Sequence, residues 1–380
     1  MSERDVQHLW IDADGSVWFE DPDLTAMAAG RALDPQMPDN APPGRTAAKH
    51  LSRLRAGRGL RTLPASLDDC WRLHRRWVAE EPAEPHDVGL SLLDLKRAIA
   101  RQLWRSCILC EHRCEVDRSR DVRGRCGVGV TSYSAPPFLH EGEELEVSPS
   151  LCVPLTGCSW HCVYCHTPDL INQTDRGIPL GPSFYPSLFK LAEDPRARSL
   201  SWVGGNPDHH LPAVLDAIAA APKHFSLPLV WNSNLYGSPE LYRLLEGVVD
   251  IHLGDLRYGR DECGEALSGI PRAWSAVTRN WRLVASQPVD LIARVLILPG
   301  HHDCCIRPIL AFLATEVPGA RLSLLPQFHP AYRTAKSAPE MNRLPTREEV
   351  EAAARLAAQL GIQQVATVEA VAQGPWPPNR

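Results

Sequence analysis

The sequence predicts an α/β protein whose core is a partial (β/α)6 TIM-like barrel, preceded by a Cys-rich insert and a mostly helical N-terminal region. The first observation is length, because 380 residues suffice for one barrel-sized domain with appendages. The second is that short apolar runs alternate with stretches of helical spacing, at residues 151–155, 200–203, 228–231, 248–253, 291–298 and 322–325. Strands separated by such crossovers pair in parallel, which predicts an α/β sheet curled toward a barrel.

Composition narrows the function classes. The formal net charge is −5, so no basic character suggests a nucleic-acid partner. No apolar run approaches the ~20 residues of a membrane span, and the N-terminus lacks the basic-then-apolar layout of a signal peptide. We therefore expect a cytoplasmic protein with neither nucleic acid nor membrane as a partner. Its 12 cysteines are then expected to be metal ligands or reactive thiols rather than disulfides.

These patterns divide the chain into four regions. We expect an N-terminal region over residues 1–104, a Cys-rich metal-binding segment over 105–146, the barrel core over 147–345, and a C-terminal helix, possible strand and tail over 346–380.

The N-terminal region carries structural signals and no chemistry that we can name. Apolar triplets at residues 9–11 and 17–19 flank a turn and predict a hairpin, and four prolines within residues 34–45 predict an irregular linker. Ser66 is expected to cap one helix, and a second helix is expected from Ser91 to about residue 105. Their apolar stripes are Leu67, Cys70, Trp71, Trp77 and Val78 in the first, and Leu92, Leu95, Ile99 and Leu103 in the second.

Four cysteines with C-x2-C-x3-C-x11-C spacing then predict a metal site; they are Cys107, Cys110, Cys114 and Cys126. A closed four-thiolate site suits either zinc or an auxiliary [4Fe-4S] cluster. With either metal, the site could have the purely structural role of holding a loop-rich insert together. Nearby arginines could offset the charge of the thiolates; they are Arg113, Arg118, Arg120, Arg123 and Arg125.

The first apolar run leads into a CxxxCxxC loop formed by Cys158, Cys162 and Cys165. A cubane [4Fe-4S] cluster has four iron corners, so three cysteines leave one iron open to bind and activate a small molecule. The CxxC pair alone could instead be a redox pair, or half of a zinc site completed by His161 or His166.

The carboxyl ends of the other runs are polar or rich in glycine, which is where a parallel α/β barrel carries its reactive groups. They comprise residues 203–207, 232–234, 255–258, 299–305 and 327–329. A merely structural barrel would not need polar groups at every end. Beyond them, Thr346 and Glu349 form a capping box that predicts a last helix ending at Gly361, followed by a possible strand over residues 362–368 and a disordered tail over 374–380.

From about residue 107 to residue 330 the chain resembles the radical S-adenosylmethionine (SAM) proteins of the pyruvate formate-lyase activating enzyme-like branch. An aromatic residue before the last cysteine of the CxxxCxxC loop, here Tyr164, is part of that pattern. The other matching stretches are CILCEHRCEVDR, HEGEE, VGGNPDHHLP, VWNSNLY, VVDIHLGDLRYG and LPGHHDCC.

The resemblance implies a radical SAM barrel with a SAM-binding [4Fe-4S] cluster on Cys158, Cys162 and Cys165. Gly204 and Gly205 resemble the glycine motif that approaches SAM, with Asn206 where the motif commonly has an acidic residue. The remaining cofactor-binding residues that the resemblance implies are Tyr164, Asn234 near the ribose, Asp255, Arg257 in place of a lysine, Arg294 and His329.

The resemblance also implies the reaction. A reduced cluster cleaves SAM to methionine and a 5′-deoxyadenosyl radical, which abstracts a hydrogen atom from a substrate, with flavodoxin or ferredoxin as electron donor. One hypothesis is activation of a glycyl-radical enzyme, in which the substrate is a protein loop. Another is a small-molecule epimerase, dehydrogenase or rearrangement enzyme in which Cys304 or Cys305, after the fifth run, returns a hydrogen atom. A third, of another class, is a non-catalytic Fe–S electron carrier or scaffold.

Overall fold

The computed structural model describes residues 9–11, 17–19, 47–80, 89–142 and 144–365. The chain divides into two compact units, Met1–Gly44 and Arg45–Arg380. In the first unit, strand β1 (Leu9–Ile11) pairs antiparallel with strand β2 (Val17–Phe19), which confirms the predicted hairpin. The proline-rich linker predicted over residues 34–45 lies outside the described residues.

The second unit is built on a mostly parallel β-sheet. Its strands are β3 (Tyr133–Ser134), β4 (Phe138–His140), β5 (Ser150–Leu155), β6 (Ile178–Pro179), β7 (Ser199–Gly204), β8 (Leu229–Ser233), β9 (Ile251–Asp255), β10 (Asp290–Leu296) and β11 (Arg321–Leu325). Strands β5, β7, β8, β9, β10 and β11 lie side by side in that order and pair in parallel. Their carboxyl ends therefore share one edge of the sheet.

Helical crossovers join successive parallel strands. The helices are α1 (Ala47–Arg55), α2 (Leu67–Ala79), α3 (Leu92–Arg105), α4 (Pro168–Asn172), α5 (Tyr185–Leu191), α6 (Leu211–Ala220), α7 (Pro239–Leu245), α8 (Asp261–Ser268), α9 (Ala273–Ala285), α10 (Arg307–Glu316), α11 (Thr334–Ser337) and α12 (Arg347–Gln359). Within the part of the chain that the structure describes, none of them combines the length and apolarity that crossing a membrane requires. The alternation of strands and helices confirms the α/β class.

Each predicted apolar run overlaps one of the parallel strands, and the largest difference concerns the start of the fourth run. That run was predicted over residues 248–253, but β9 begins only at Ile251. The amides of Val248 and Val249 instead donate to the Leu245 carbonyl at 2.8 and 3.3 Å, which closes the turn after α7. Two apolar residues that looked like the start of a strand are therefore buried in a turn.

Short antiparallel strands at the β5 edge of the sheet were not predicted. Strands β3 and β4 both pair with β5, and β6 pairs with β3. Runs of two or three residues are too short to show the period-2 alternation that identifies a strand in sequence. Because β5 has neighbours on both sides, all six of its residues are buried.

The predicted helix caps before α2 and α3 are present. Ser66 Oγ accepts a hydrogen bond from the Asp69 amide at 3.1 Å, and Ser91 forms a capping box with Asp94. In α3 the four predicted apolar positions are buried, and in α2 Cys70 and Trp77 are buried.

The C-terminal helix is also confirmed. Thr346 and Glu349 form the expected capping box at the start of α12, and Gly361 has a φ of +67° just beyond its end. Of the strand predicted over residues 362–368, the structure has one parallel bridge between Leu322 and Gln364. Residues 366–368 and the predicted tail lie outside the described residues.

Lys96 joins the N-terminal helices to the sheet unit and is fully buried. Its Nζ donates to the carbonyls of Leu244 and Glu246 at 3.0 and 2.9 Å, at the end of α7, and lies 2.9 Å from His74 Nε2. The last carbonyls of a helix have no partner within the helix, so this ammonium acts as their cap. Burial lowers the pKa of Lys96 from 10.5 to about 7.

We predict that Lys96→Met lowers the free energy of unfolding by about 2–4 kcal/mol at pH 7, because carbonyls at the end of α7 lose their donor. Unfolded Lys96 keeps its proton up to about pH 10.5, whereas the folded chain releases it near pH 7. Raising the pH from 7 to 10 therefore stabilises the folded state through Lys96. The difference in free energy of unfolding between wild type and variant, called the gap below, should widen. Chemical denaturation at both pH values measures the gap, with the exposed Lys336→Met as control. A gap that narrows with rising pH would contradict the assignment.

Candidate functional site

The CxxxCxxC loop begins where the ends of β5 and β7 meet. The Gly205 amide donates to the Leu155 carbonyl at 2.7 Å, and the Asn206 amide donates to the Gly157 carbonyl at 2.9 Å. These bonds continue the parallel pairing of the two strands up to the residue before Cys158.

Glycine is required at the end of β7 by the packing of the backbone. A Cβ atom on Gly204 would overlap the backbone of Leu155, and one on Gly205 would overlap the Gly157 carbonyl. Gly204 also has a φ of +114°, which strains other residues. The expected approach of these glycines to SAM stays a prediction. The Gly204-Gly205 turn thus fixes the start of that loop.

The end of α8 holds the same loop from its other side. The amides of His161 and Val163 donate to the carbonyls of Ser268 and Leu267 at 3.1 and 2.9 Å. Ser268 Oγ also donates to Cys162 Sγ at 2.9 Å. The end of α8 therefore positions both the backbone of the loop and the thiol of Cys162.

Two histidines next to the glycine turn also contact the loop and its start. The sequence alone did not predict this role. His209 Nε2 accepts a hydrogen bond from the Ser159 amide at 3.0 Å, and His210 Nε2 lies 2.6 Å from the Thr156 carbonyl. Burial lowers the pKa of His209 well below its usual value, which keeps its ring neutral and able to accept. The sequence feature that could have indicated this role is the pair of histidines that follows the Gly204-Gly205 turn.

The three thiols of the loop lie in a common environment. Burial raises the pKa of Cys158, and the neighbouring Cys162 and then Cys165 raise it further. Burial raises the pKa of Cys162 to about 11, although the hydrogen bond from Ser268 opposes the rise. Thiols that resist deprotonation in this way become thiolates when a cation takes the place of the proton. The loop can therefore supply three ligands to one metal centre.

Tyr164 is 4% exposed, and its hydroxyl lies 2.7 Å from the Tyr258 hydroxyl. Tyr258 in turn contacts Ser268, the residue that donates to Cys162. This connects the predicted cofactor-binding tyrosine to the cysteine loop through hydroxyl groups.

The two predicted asparagines lie beside the first cysteine. The Asn234 amide contacts Asn206 Oδ1 at 3.4 Å, and Asn234 Nδ2 lies 3.9 Å from Cys158 Sγ. Both side chains are buried. The ends of β7 and β8 thus converge on the cysteine loop, as the predicted shared edge requires.

The predicted residues from β9 and β10 form two ion pairs. Asp255 Oδ2 accepts from Arg257 at 3.1 Å, and Arg294 Nε donates to the buried Glu144 at 3.0 Å. Asp255 Oδ1 is buried and has no hydrogen-bond partner among the described residues. Ser323 also donates to Glu144, at 2.7 Å. Asp255 therefore keeps an acceptor available, whereas the Arg294 Nε is already engaged.

His329, the last predicted SAM contact, stacks on His166 with ring centroids 4.0 Å apart. Burial lowers the pKa of His166 to about 4, and the neighbouring His329 contributes to the fall. The stacking brings the end of β11 next to the last cysteine of the loop, Cys165.

In the four-cysteine segment, Arg118 is the central contact. It is 1% exposed, and its Nε and Nη2 donate to Cys107 Sγ and Cys126 Sγ, both at 2.9 Å. Burial raises the pKa of Cys110, and the neighbouring Cys126, Cys107 and Cys114 raise it further. The four sulfurs therefore share one region.

Two other arginines expected to offset these thiolates have their guanidinium groups engaged elsewhere. Arg113 pairs with Glu240 at 2.9 Å, and Arg125 donates to the Gly269 carbonyl at 3.1 Å. The Arg125 backbone amide contacts Cys114 Sγ at 3.4 Å. Arg118 contributes its guanidinium directly to two of the thiols.

A further cysteine group forms only in the folded chain. Among the described residues, potential ligand atoms that all lie within 4.8 Å of one another occur at Cys263, His301, Cys304 and Cys305. This Cys3His group could hold a metal ion. It could not be recognised in the sequence, because Cys263 lies far along the chain from the other three residues.

The fold and the side chains described above define the class of protein. It is an α/β protein with a mostly parallel sheet and a Cys3His group that could hold a metal ion. No protein-family model matches the chain. It is 34% identical over 311 residues to the uncharacterized protein MJ0674 of Methanocaldococcus jannaschii, and the match covers 79% of this chain and 90% of that protein. The chain belongs to the same family as that protein.

We predict that Gly205→Ala disturbs the cysteine loop, because the new methyl group pushes on the Gly157 carbonyl. The free energy of unfolding should fall by about 1–3 kcal/mol, and iron bound after anaerobic reconstitution should fall with it. Gly319→Ala is the matched control, since an added Cβ there meets nothing within 4 Å. Wild-type stability together with wild-type iron content in Gly205→Ala would contradict the described contact.

Proposed function

We propose that this protein is a radical SAM enzyme. It would cleave SAM reductively at a [4Fe-4S] cluster on Cys158, Cys162 and Cys165, in the manner of glycyl-radical-enzyme activases, and its parallel sheet would be a partial barrel of the radical SAM type. The single observation that carries the proposal is the three-thiol loop at the carboxyl end of β5, held by β7 on one side and α8 on the other.

The loop fits such a cluster in two respects. Ser268 supplies a hydrogen bond to one sulfur, which is the kind of contact that tunes a cluster's reduction potential. Cys158 is 7% exposed, so water is largely kept from its thiol.

Neighbouring residues fit SAM as the occupant of the open corner. Asp255 Oδ1 is a buried acceptor without a partner among the described residues, and an ammonium group such as that of SAM would satisfy it. Asn206 and Asn234 lie beside Cys158 and offer amide groups for further polar contacts. When bound and reduced, the cluster would supply the electron that cleaves SAM to methionine and the 5′-deoxyadenosyl radical. The chain's own residues would bind and orient the cofactor and exclude water.

The four-cysteine segment would hold a second, fully protein-ligated [4Fe-4S] cluster rather than zinc. The buried Arg118, with hydrogen bonds to Cys107 and Cys126, would offset the negative charge of four thiolates. An external protein such as flavodoxin or ferredoxin would deliver the electrons.

We propose that the substrate is the protein loop of a glycyl-radical enzyme. The small-molecule alternative needs a free thiol at Cys304 or Cys305 to return a hydrogen atom. Cys304 Sγ lies 3.2 Å from His301 Nδ1 and belongs to the tight Cys3His group. This environment argues against a free donor, whereas an activase needs none because its product is the radical.

We predict that reconstituted wild-type protein forms 5′-deoxyadenosine from SAM with dithionite under anaerobic conditions. The Cys158→Ala/Cys162→Ala/Cys165→Ala variant should form none above background, because it lacks every ligand of the proposed cluster. The control is Cys70→Ala, which removes a buried cysteine of α2 that belongs to none of the three proposed ligand sets. Wild-type rates in the triple variant would overturn the proposal.

Metal analysis of the same triple variant tests the second cluster. About four irons with matching sulfide should remain in it, held by the four-cysteine segment. Zinc in place of iron and sulfide would make that segment a structural zinc site and leave the SAM result untouched.

A further inference from the structure

The group formed by Cys263, His301, Cys304 and Cys305 has the spacing of a single tetrahedral metal ion. All four ligand atoms lie within 4.8 Å of one another. Cys304 Sγ and Cys305 Sγ lie 3.2 and 3.8 Å from His301 Nδ1. A zinc ion at about 2.3 Å from sulfur and about 2.0 Å from nitrogen separates these ligands by about 3.6 Å. The observed distances bracket that value.

Local structure explains why these residues converge. His301, Cys304 and Cys305 stand at positions i, i+3 and i+4 around the π-helical turn His302–Ile306, so they share one face. Cys263 comes from the first turn of α8. Gly259 allows the two segments to approach, because a Cβ there would lie 2.7 Å from the carbonyls of Cys304 and Cys305.

We propose that Cys263, His301, Cys304 and Cys305 bind one zinc ion as a closed Cys3His site that anchors the start of α8. Three thiolates and a neutral imidazole complete a tetrahedral set for zinc, and binding releases the three thiol protons without any oxidant. Three of the four residues are partly exposed, which gives the metal a path of entry. Zinc binding at this site does not require the proposed SAM chemistry to hold.

The anchor matters because the other end of α8 holds the cysteine loop. The helix spans eight residues, from Asp261 to Ser268. Its last residues accept hydrogen bonds from the amides of His161 and Val163, and Ser268 donates to Cys162. Fixing the first turn of so short a helix fixes its last turn as well, so the zinc ion would position the CxxxCxxC loop.

Zinc binding also excludes the donor role considered for Cys304 and Cys305. A thiolate bound to zinc carries no S–H hydrogen to return to a substrate radical. The two assignments therefore cannot both hold for this protein.

Metal content tests the site directly. Wild type, Cys263→Ser, His301→Gln and the control Cys70→Ser are purified and reconstituted anaerobically, and zinc and iron per chain are measured by mass spectrometry. We expect one zinc per chain to be lost from each ligand variant and from neither the wild type nor the control, with iron unchanged. Equal zinc in all four proteins would overturn the site, as would a Cys263–Cys304 or Cys263–Cys305 disulfide in the metal-free wild type.

Amide hydrogen exchange tests the anchoring. In His301→Gln the amides of His161 and Val163 should exchange at least several-fold faster, whereas the Asn206 amide, bonded to Gly157, should keep its rate. The measurement is repeated on Cys263→Ser, so that a folding defect in one variant cannot by itself explain the result. Circular dichroism checks that both variants are folded. Zinc loss with unchanged exchange at residues 161 and 163 would overturn the anchoring.

Discussion

The close approach of two strand ends is the constraint on which the candidate site depends. Gly205 and Asn206 donate backbone hydrogen bonds to Leu155 and Gly157, and this geometry leaves no room for a side chain on the turn. Because Cys158 follows directly, the first thiol is positioned by the pairing of the central sheet itself. A flexible loop would have to order its cysteines on binding metal, whereas this one is partly ordered beforehand.

The same principle extends to the other cysteine groups. A Cβ on Gly157 would lie 2.5 Å from Val128 Cγ2 and 2.7 Å from the Cys126 carbonyl, so the four-cysteine segment packs against the start of the loop. On the opposite side, α8 connects the Cys3His group to the loop. Three thiol-rich groups that are far apart in sequence thus meet around one loop, and each restrains its neighbours.

Sequence patterns predicted the parts of this arrangement that are local. Apolar runs marked the parallel strands, and cysteine spacing marked two groups whose members lie close in the chain. Cys263 could not be joined to Cys304 in this way, because about forty residues separate them and the contact arises only when β9 and β10 pair. Lys96 had the sequence context of any solvated helix lysine; its burial depends on where α7 ends. Arg118 was one arginine among five, and only packing distinguished it.

In the proposed site, three thiolates hold a cluster that leaves one iron open to SAM. Pulsed electron–nuclear double resonance on the reduced protein, with SAM labelled by ¹⁵N at its amino group and ¹⁷O at its carboxylate, tests this most directly. We predict hyperfine coupling of both labels to the cluster, because only direct ligation brings them within bonding distance of iron. A reduced cluster that shows no coupling to either label at saturating SAM would contradict the claim.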